Sequence, residues 1–116
     1  MPPDRDRIRL IHMLEHAQEA VQLVEGRART DLDENRIHSL ALVRLLEIIG
    51  EAAAGVSAES RSRFPGIPWA EIVGLRNRLI HGYDSVDLDI VWNIVIGDLP
   101  ALIRDLTTDP DLHADH

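Results

Sequence analysis

Cysteine is missing from the sequence, and aromatic residues are rare. The absence of cysteine excludes disulfide bonds, thiolate catalysis and cysteine-based zinc sites. Aromatic side chains make up only 3% of the 116 residues, so the core must be built from aliphatic side chains. Leucine, isoleucine, valine and alanine are common, whereas threonine and the aromatics, which favour strands, are scarce. The composition therefore favours helices.

Long apolar runs are also missing. None approaches the roughly 20 residues that a membrane-spanning helix needs, and the opening stretch, MPPDRDRIRL, lacks the apolar core of a secretory signal. We therefore expect a cytoplasmic protein that does not enter a membrane. A chain of 116 residues has room for one domain. We expect this domain to span residues 1–106, followed by a polar, flexible tail over 107–116.

The charge of the chain is strongly negative but unevenly distributed. A net charge of −8 argues against broad, nonspecific binding to nucleic acid, which depends on lysine and arginine side chains that neutralise phosphates. Residues 61–83 differ, because they carry four arginines against one glutamate, a net charge of +3 that leaves −11 for the rest. The four are Arg61, Arg63, Arg76 and Arg78. Any site for an anion should therefore be local.

Apolar residues recur at helical spacings in four stretches, 5–25, 33–54, 69–82 and 88–106. The second stretch is apolar on more than one side, so it should form the central helix. Between the second and third stretches, a segment with glycine, serine and two prolines has room for one short helical turn. Pro100 should kink or divide the fourth helix. Four main helices with short connections predict a helical bundle.

Small and polar residues mark the expected ends of these helices. Gly26 should end the first helix, because glycine takes the left-handed capping conformation at little cost. Thr30 or Asp31 should cap the second helix by accepting from its free N–H groups. Gly82 should end the third.

An arginine occupies an unusual place in the third predicted helix. On a wheel of about 100° per residue, Arg76 falls in the middle of a face formed by Trp69, Ile72, Val73, Leu79, Ile80 and Tyr83. A guanidinium keeps its charge, and burying it unpaired costs several kcal/mol, so it needs a partner. Two explanations stay open: a buried ion pair with Glu47 or Glu51 of the central helix, and a functional anion clamp.

His81 lies five residues after Arg76, which corresponds to about 140° around an ideal helix. The two side chains would converge only if the helix unwinds at 80–82, or if a dimer brings both elements of each chain to one cleft. On pattern alone, a surface or capping histidine is more common than a catalytic one. Tyr83 lies beside Ile72 and Leu79 on the wheel, which favours its burial.

Two further groups of titratable residues have spacings that a metal site could use. His12 and His16 lie one helical turn apart, but no third ligand is near, so a solvated helix face is the better interpretation. Asp84, Asp87 and Asp89 fit a turn and a helix cap better than a metal site. We expect no metal and no other cofactor.

Two segments resemble a known family. Residues 64–102, FPGIPWAEIVGLRNRLIHGYDSVDLDIVWNIVIGDLPAL, resemble the signature half of the HepT-like family within the HEPN superfamily. Their centre, RNRLIHGY over 76–83, matches that family's pattern of arginine, four residues, histidine, any residue and tyrosine. The stretch LLEIIGEAA over 45–53 is similar to its second helix. The resemblance covers about two-thirds of the chain.

The resemblance implies an all-α fold, a HEPN-like helical bundle of four to five helices that forms a homodimer. It also implies an endoribonuclease toxin that cuts RNA without metal and is silenced by a partner minimal nucleotidyltransferase, the antitoxin. By the same resemblance, Arg76 and His81 would be catalytic, Arg76 holding the phosphate and His81 acting as general acid or base. Asn77 would support the polar site, and Tyr83 would receive AMP from the partner.

Alternatives to a ribonuclease remain open at this point. The chain could be a non-catalytic HEPN module that binds a nucleotidyltransferase or a nucleotide, with Arg76 and His81 kept for anion binding or packing. A purely structural helical dimer ranks below it, because it would explain the arginine at position 76 only as a member of one ion pair. We expect a dimer whose interface includes residues 76–83, and a Tyr83 that is exposed beside the cleft, against the burial that its pattern favours.

Overall fold

The structure, a computed structural model, describes residues 4–79 and 86–112. Within these ranges the chain forms helices joined by turns and contains no β-strand, which confirms the expected all-α helical bundle. In the same ranges, no helix combines the length and the apolar character needed to cross a membrane.

The helices of the described residues fall into two long ones and several short ones. The α-helices are α1 (Asp4–Val24), α2 (Asp31–Glu34), α3 (Arg36–Ala54), α4 (Ala58–Ser62), α5 (Trp69–Val73), α6 (Leu75–Leu79), α7 (Leu88–Asn93) and α8 (Leu99–Thr107). A π-helical segment (Ile94–Asp98) joins α7 to α8, and a 3-10 turn (Pro110–Leu112) follows α8.

The two long helices, α1 and α3, form the centre of the bundle. They run in opposite directions, because Arg9 near the start of α1 donates to the carbonyl oxygen of Gly55 just past the end of α3. The facing side chains recur at helical spacings and are fully buried: Leu10, Met13, Ala17 and Ala20 on α1, and Leu42, Leu46, Ile49 and Ala53 on α3. Each of the larger ones stabilises the fold by about 2 kcal/mol through removal of apolar surface from water.

The predicted boundaries of the first two helices are partly right. Gly26 has a φ of +72°, the left-handed conformation expected of the residue that ends the first helix. The expected cap of the second helix is wrong. Residues 31–34 form the separate helix α2, and Asn35 caps α3 by accepting from the backbone N–H of His38 at 3.1 Å. Thr30 makes no capping hydrogen bond with its side chain.

The fourth predicted helix is divided, as expected, next to Pro100. The N–H of Leu99 donates to the carbonyl oxygen of Ile94, which is a π-type bond spanning one residue more than an α-helical bond. Pro100 has no N–H to continue the ladder, so the irregular turn lies just before it and α8 starts afresh.

Packing continues beyond residue 106, the expected end of the domain. Leu112 is buried, and so is Asp109, whose carboxylate lies 2.5 Å from Nη2 of Arg63. Arg7 of α1 donates to the carbonyl oxygen of Asp111 at 2.9 Å. These contacts hold residues 109–112 against the bundle. Residues 113–116 of the expected tail lie outside the described residues.

A close approach between helices places α5 and α6 on α3. A Cβ atom at Gly50 would lie 3.0 Å from the carbonyl oxygen of Ile72 and 3.6 Å from Cβ of Leu75. Because real Cβ contacts are seldom that short, the glycine lets these two helices lie closer to α3 than a larger residue would. This crossing positions the helix that carries Arg76.

Candidate functional site

The segment expected to form one helix from Trp69 onwards is interrupted. Helix α5 ends at Val73, Gly74 has φ −83° and ψ +7°, and α6 begins at Leu75. The interruption is a single distorted residue, since the N–H of Arg78 still donates to the carbonyl oxygen of Gly74. The expected helix end at Gly82 lies outside the described residues.

Arg76 lies on the exposed surface of α6, so its predicted place at the centre of a buried face is wrong. The buried residues of this region are Ile72, Leu75 and Leu79. Arg76 is about 60° around the helix from Leu79, at the edge of that face rather than within it. The buried direction is rotated relative to the pattern because Leu75 faces the core, whereas Val73 and Trp69 are only half-buried.

The ion pair between Arg76 and the central helix, one of the two explanations left open, is not formed among the described residues. Glu51 pairs with Arg44 on the exposed side of α3, with 3.7 Å between Nη1 and Oε1. Arg76 takes part in no hydrogen bond or ion pair with any residue in the two described ranges, Glu47 included. Its guanidinium is therefore directed to solvent.

Two other arginines of the basic segment 61–83 serve the fold. Arg61 donates from Nη2 to the carbonyl oxygen of Ala53 at 3.2 Å, at the C-terminal end of α3 where carbonyls lack helical partners. Its guanidinium carbon also lies 5.6 Å from the centre of the Trp69 ring. Arg63 pairs with the buried Asp109, as described above. Neither arginine is free to bind an external anion.

Arg78 of the same segment faces an acid of the π-helical segment. Its Nη1 lies 3.8 Å from Oδ2 of Asp98, and each of the two side chains is about one-third exposed. The Nη1 atom itself is buried and makes no hydrogen bond with the described residues. Arg76 thus differs from the other three arginines of this segment, because it alone has no partner within residues 4–79 and 86–112.

Asn77 is exposed beside Arg76 on the outer side of α6. The structure therefore brings these two predicted site residues together on one short helix. His81 and Tyr83, the other two predicted site residues, lie outside the described residues, as does Asp84. Their predicted positions and the exposure of Tyr83 stay predictions.

The residues on either side of 80–85 lie together. The N–H of Asp87 donates to the carbonyl oxygen of Leu79 at 3.2 Å, which joins the start of α7 to the end of α6. The carboxylate of Asp87 accepts from the N–H groups of Asp89 at 2.9 Å and Ile90 at 3.2 Å. Asp87 is therefore a helix cap, as expected, and Asp89 pairs with Arg29 at 2.6 Å.

His12 and His16 occupy one face of α1, as their spacing predicts. Their rings meet edge to face with centroids 6.1 Å apart, and Nδ1 of His16 lies 2.7 Å from the carbonyl oxygen of His12. In the part of the chain that the structure describes, no cluster of three or more histidine, aspartate or glutamate side chains is arranged to hold a metal ion.

A buried carboxylate that the sequence does not reveal joins α1 to α4. Asp6 accepts from the hydroxyl groups of Ser57 at 2.5 Å and Ser60 at 2.6 Å, and from the N–H of Ser57 at 3.1 Å. The hydrogen bonds from Ser57 and Ser60 hold the pKa of Asp6 below its ordinary value, against the effect of burial. Ser57 is the N-cap of α4, which is a local feature of the chain, but its partner Asp6 lies 51 residues away and no local pattern indicates it.

Comparison with known proteins points to one family. A model of the family described as Ribonuclease HepT-like matches residues 13–108. The protein named "Putative RNase MJ1380", from Methanocaldococcus jannaschii, is 36% identical over 97 residues, which cover 84% of this chain and 89% of that protein. "Probable ribonuclease HepT", from Thermococcus cleftensis, is 37% identical over 93 residues, or 77% of this chain and 84% of that protein. No solved structure matches the chain.

Proposed function

The chain belongs to the ribonuclease HepT-like family, and from this premise we propose that it is an endoribonuclease toxin that cuts RNA without a metal ion. The catalytic residues in this proposal are Arg76 and His81, with Asn77 in support. The relatives named as ribonucleases support the reaction class. The choice of residues depends on the motif and on the geometry of α6.

The observation that carries the proposal is the state of Arg76. Its helix is anchored by the buried Leu75 and Leu79, yet its guanidinium reaches solvent and has no partner in the described part of the chain. A guanidinium presents several N–H donors in a planar fork that matches the oxygens of a phosphate. An arginine held on a packed helix without an internal partner is suited to bind an external anion.

The chemistry needs few groups, because RNA contains its own nucleophile. The 2′-oxygen forms a bond to phosphorus while the bond from phosphorus to the 5′-oxygen breaks. One proton leaves the 2′-hydroxyl and another reaches the departing 5′-oxygen, and we assign His81 to this proton transfer. Arg76 stabilises the charge that develops on the phosphate oxygens. Asn77 supports the polar site through its amide group.

We further propose that the active form is a homodimer whose interface includes residues 76–83. Support comes from α3, where Ile37 is 80% exposed and Leu40 54% exposed, although most of its apolar surface is covered by the chain itself. Exposed apolar neighbours of this kind favour burial against another chain. Light scattering should give twice the monomer mass. A folded monomer in dilute solution would exclude a cleft that is formed by two chains.

A partner minimal nucleotidyltransferase completes the proposal. It would act as antitoxin by transferring AMP from ATP to Tyr83, so that the phenol oxygen bonds to the α-phosphorus, the phenol loses its proton and pyrophosphate leaves. Intact mass after co-expression with the cognate transferase should rise by one AMP group. The mass of the Tyr83→Phe variant should stay unchanged, and equal labelling of both proteins would exclude Tyr83 as the acceptor.

One observation favours a second candidate, a non-catalytic HEPN module that binds a nucleotidyltransferase or a nucleotide. The chain carries a net charge of −8, and Arg61, Arg63 and Arg78 already have partners within the fold. This leaves little positive surface for a long RNA and suits a single phosphate group better. Binding without cleavage by the wild-type protein would favour this candidate.

The test compares His81→Ala with His12→Ala in RNA cleavage assays containing EDTA. His12 is an exposed histidine on α1, so its removal controls for loss of an imidazole as such. The His81 variant should lose cleavage by about 100- to 10,000-fold, the usual contribution of a placed general acid or base, and should no longer arrest growth on expression. The His12 variant should keep wild-type activity. Wild-type cleavage by folded His81→Ala protein would assign the cleavage to a contaminant or to another site, and the binding module would then replace the proposed ribonuclease.

A further inference from the structure

The pair formed by Arg78 and Asp98 is placed to control the orientation of α6. Counting about 100° per residue, Arg76 and Arg78 lie on opposite sides of the buried line that Leu75 and Leu79 define, each about 80° from it. The exposures agree with this count, since Arg78 is half-buried and Arg76 is exposed. A rotation of α6 about its axis would therefore move both arginines at once.

Leu75 and Leu79 anchor α6 on one side, so its rotation about its own axis also depends on contacts at its flanks. Helix α6 is only five residues long, and Leu75 and Leu79 project in nearly the same direction, about 40° apart. The contact from Arg78 to Asp98 lies to one side of that direction and provides a lateral restraint. Its Nη1 atom is enclosed, so the arginine cannot swing freely without leaving its site.

The position of Asp98 depends on the π-helical segment. Asp98 is the last residue of Ile94–Asp98, where the wider turn inserts one residue relative to an α-helix and changes the direction of the side chains that follow. Single π-turns inside α-helices occur often at functional sites. In this chain the turn directs a carboxylate towards the helix that carries Arg76.

We propose that Asp98, acting through Arg78, is a positioning residue that sets the rotation of α6 and thereby aims Arg76 at the scissile phosphate. The inference rests on the ribonuclease activity proposed above. It assigns neither residue to the reaction itself. It states that the π-turn and the motif helix form one unit, joined by an ion pair with 3.8 Å between Nη1 and Oδ2.

The test separates kcat from KM in metal-free RNA cleavage by Asp98→Asn, with Glu51→Gln as the matched control. The control removes the carboxylate of a pair with a similar separation, 3.7 Å, on the exposed surface of α3. We expect Asp98→Asn to lose about ten- to a hundredfold in kcat, the size of effect that a small misplacement of a catalytic group causes. KM and the melting temperature should stay near wild type. Glu51→Gln should leave both constants unchanged, and Asp98→Glu should restore most of kcat.

Arg78→Gln provides a second, independent variant. If the two residues act as one pair, the double variant Arg78→Gln/Asp98→Asn should lose no more activity than either single variant. Additive losses would overturn the proposal. So would an unchanged kcat in Asp98→Asn, or a lower KM with unchanged kcat, which would mean that Asp98 only neutralises Arg78. A loss that follows the melting temperature would assign the pair to stability alone.

The failure of this inference can be told apart from the failure of the proposed function. If the wild-type protein does not cut RNA in EDTA, the ribonuclease proposal fails and the positioning role fails with it. If wild type cuts RNA, Arg76→Ala does not, and Asp98→Asn equals wild type, only the positioning role is excluded.

Discussion

Two regions of the molecule differ in how their charged side chains are partnered. One is the junction of α1 with α4, and the other is the short helix α6. At the junction, the carboxylate of Asp6 is 3% exposed and accepts three hydrogen bonds from Ser57 and Ser60. On α6, Arg76 is exposed and unpaired among the described residues, and a buried nitrogen of Arg78 makes no hydrogen bond. The first region satisfies its buried charge within the fold, whereas Arg76 of the second has no partner among the described residues.

The contrast between partnered and unpartnered charged groups indicates which residues serve the fold and which are candidates for function. A buried carboxylate without hydrogen bonds would cost several kcal/mol, so the serines around Asp6 are needed for the fold itself. An exposed arginine contributes little to folding, whatever its neighbours do. The comparison therefore predicts that substitutions at Asp6 act on stability and that substitutions at Arg76 act on activity.

The largest expected effect is the loss of cleavage in Arg76→Ala. If Arg76 holds the phosphate as proposed, its removal should lower kcat/KM by at least about 100-fold, which corresponds to about 2.7 kcal/mol of transition-state stabilisation. The free energy of unfolding should change by less than about 0.5 kcal/mol, because the side chain is exposed and unpaired. Cleavage assays and denaturant titrations of the same preparation measure both quantities.

Arg104→Ala is the control for this substitution. Arg104 is an exposed arginine of α8, so the variant has the same change of charge away from α6. It should cut RNA like the wild type. A strong destabilisation by Arg76→Ala would show that Arg76 is part of the packed fold and would remove the contrast between the two regions.

Asp6→Asn should give the next largest effect, on stability rather than activity. The amide has one acceptor oxygen in place of a charged carboxylate, so the serine donors lose charge-assisted bonds, and we expect a loss of about 2 kcal/mol. Urea unfolding measures it. Glu59→Gln, an exposed neighbour on α4, should stay within about 0.5 kcal/mol of wild type. Equal stability of Asp6→Asn and wild type would mean that the buried hydrogen bonds contribute nothing net.

The pH dependence of the free energy of unfolding should reveal the contribution of Asp6. The pKa of Asp6 is lower in the folded protein than in the unfolded chain, so the unfolded chain binds this proton more readily. The contribution of Asp6 is then complete above the unfolded value of about 3.9 and is lost as the pH falls through the folded value. The stability gap between wild type and Asp6→Asn should narrow as the pH falls below about 4. A gap that widens in acid would contradict the assigned direction.

The smallest effect should come from the ion pair between Arg44 and Glu51. Both side chains are about three-fifths exposed and their charged atoms are 3.7 Å apart. Exposed pairs of this kind contribute between about 0 and 1 kcal/mol, so Glu51→Gln should change the free energy of unfolding by less than about 0.5 kcal/mol. A larger loss in urea unfolding would indicate that α3 depends on its surface charges as α1 depends on Asp6.

The candidate site was predicted from the sequence only in part. The motif over 76–83 predicted Arg76 and Asn77 as site residues; the structure shows that both are exposed on α6, and their role stays a prediction. The expected place of Arg76 on a buried face was wrong, because Leu75 is the residue that faces the core, and the ion pair with Glu47 or Glu51, one of two explanations left open, is not formed in the part of the chain that the structure describes. Asp98 was not anticipated, since its direction depends on a π-turn that no apolar period indicates.

The sequence by itself determined the class of the fold, the long helices, the stop at Gly26 and the division near Pro100. These features follow from residues that are neighbours in the chain, whose spacing and backbone preferences act locally. Only the tertiary structure decided which side of α6 is buried and which carboxylates meet which donors. Those outcomes depend on the close approach at Gly50 and on contacts between residues as far apart as Asp6 and Ser60, which local patterns do not encode.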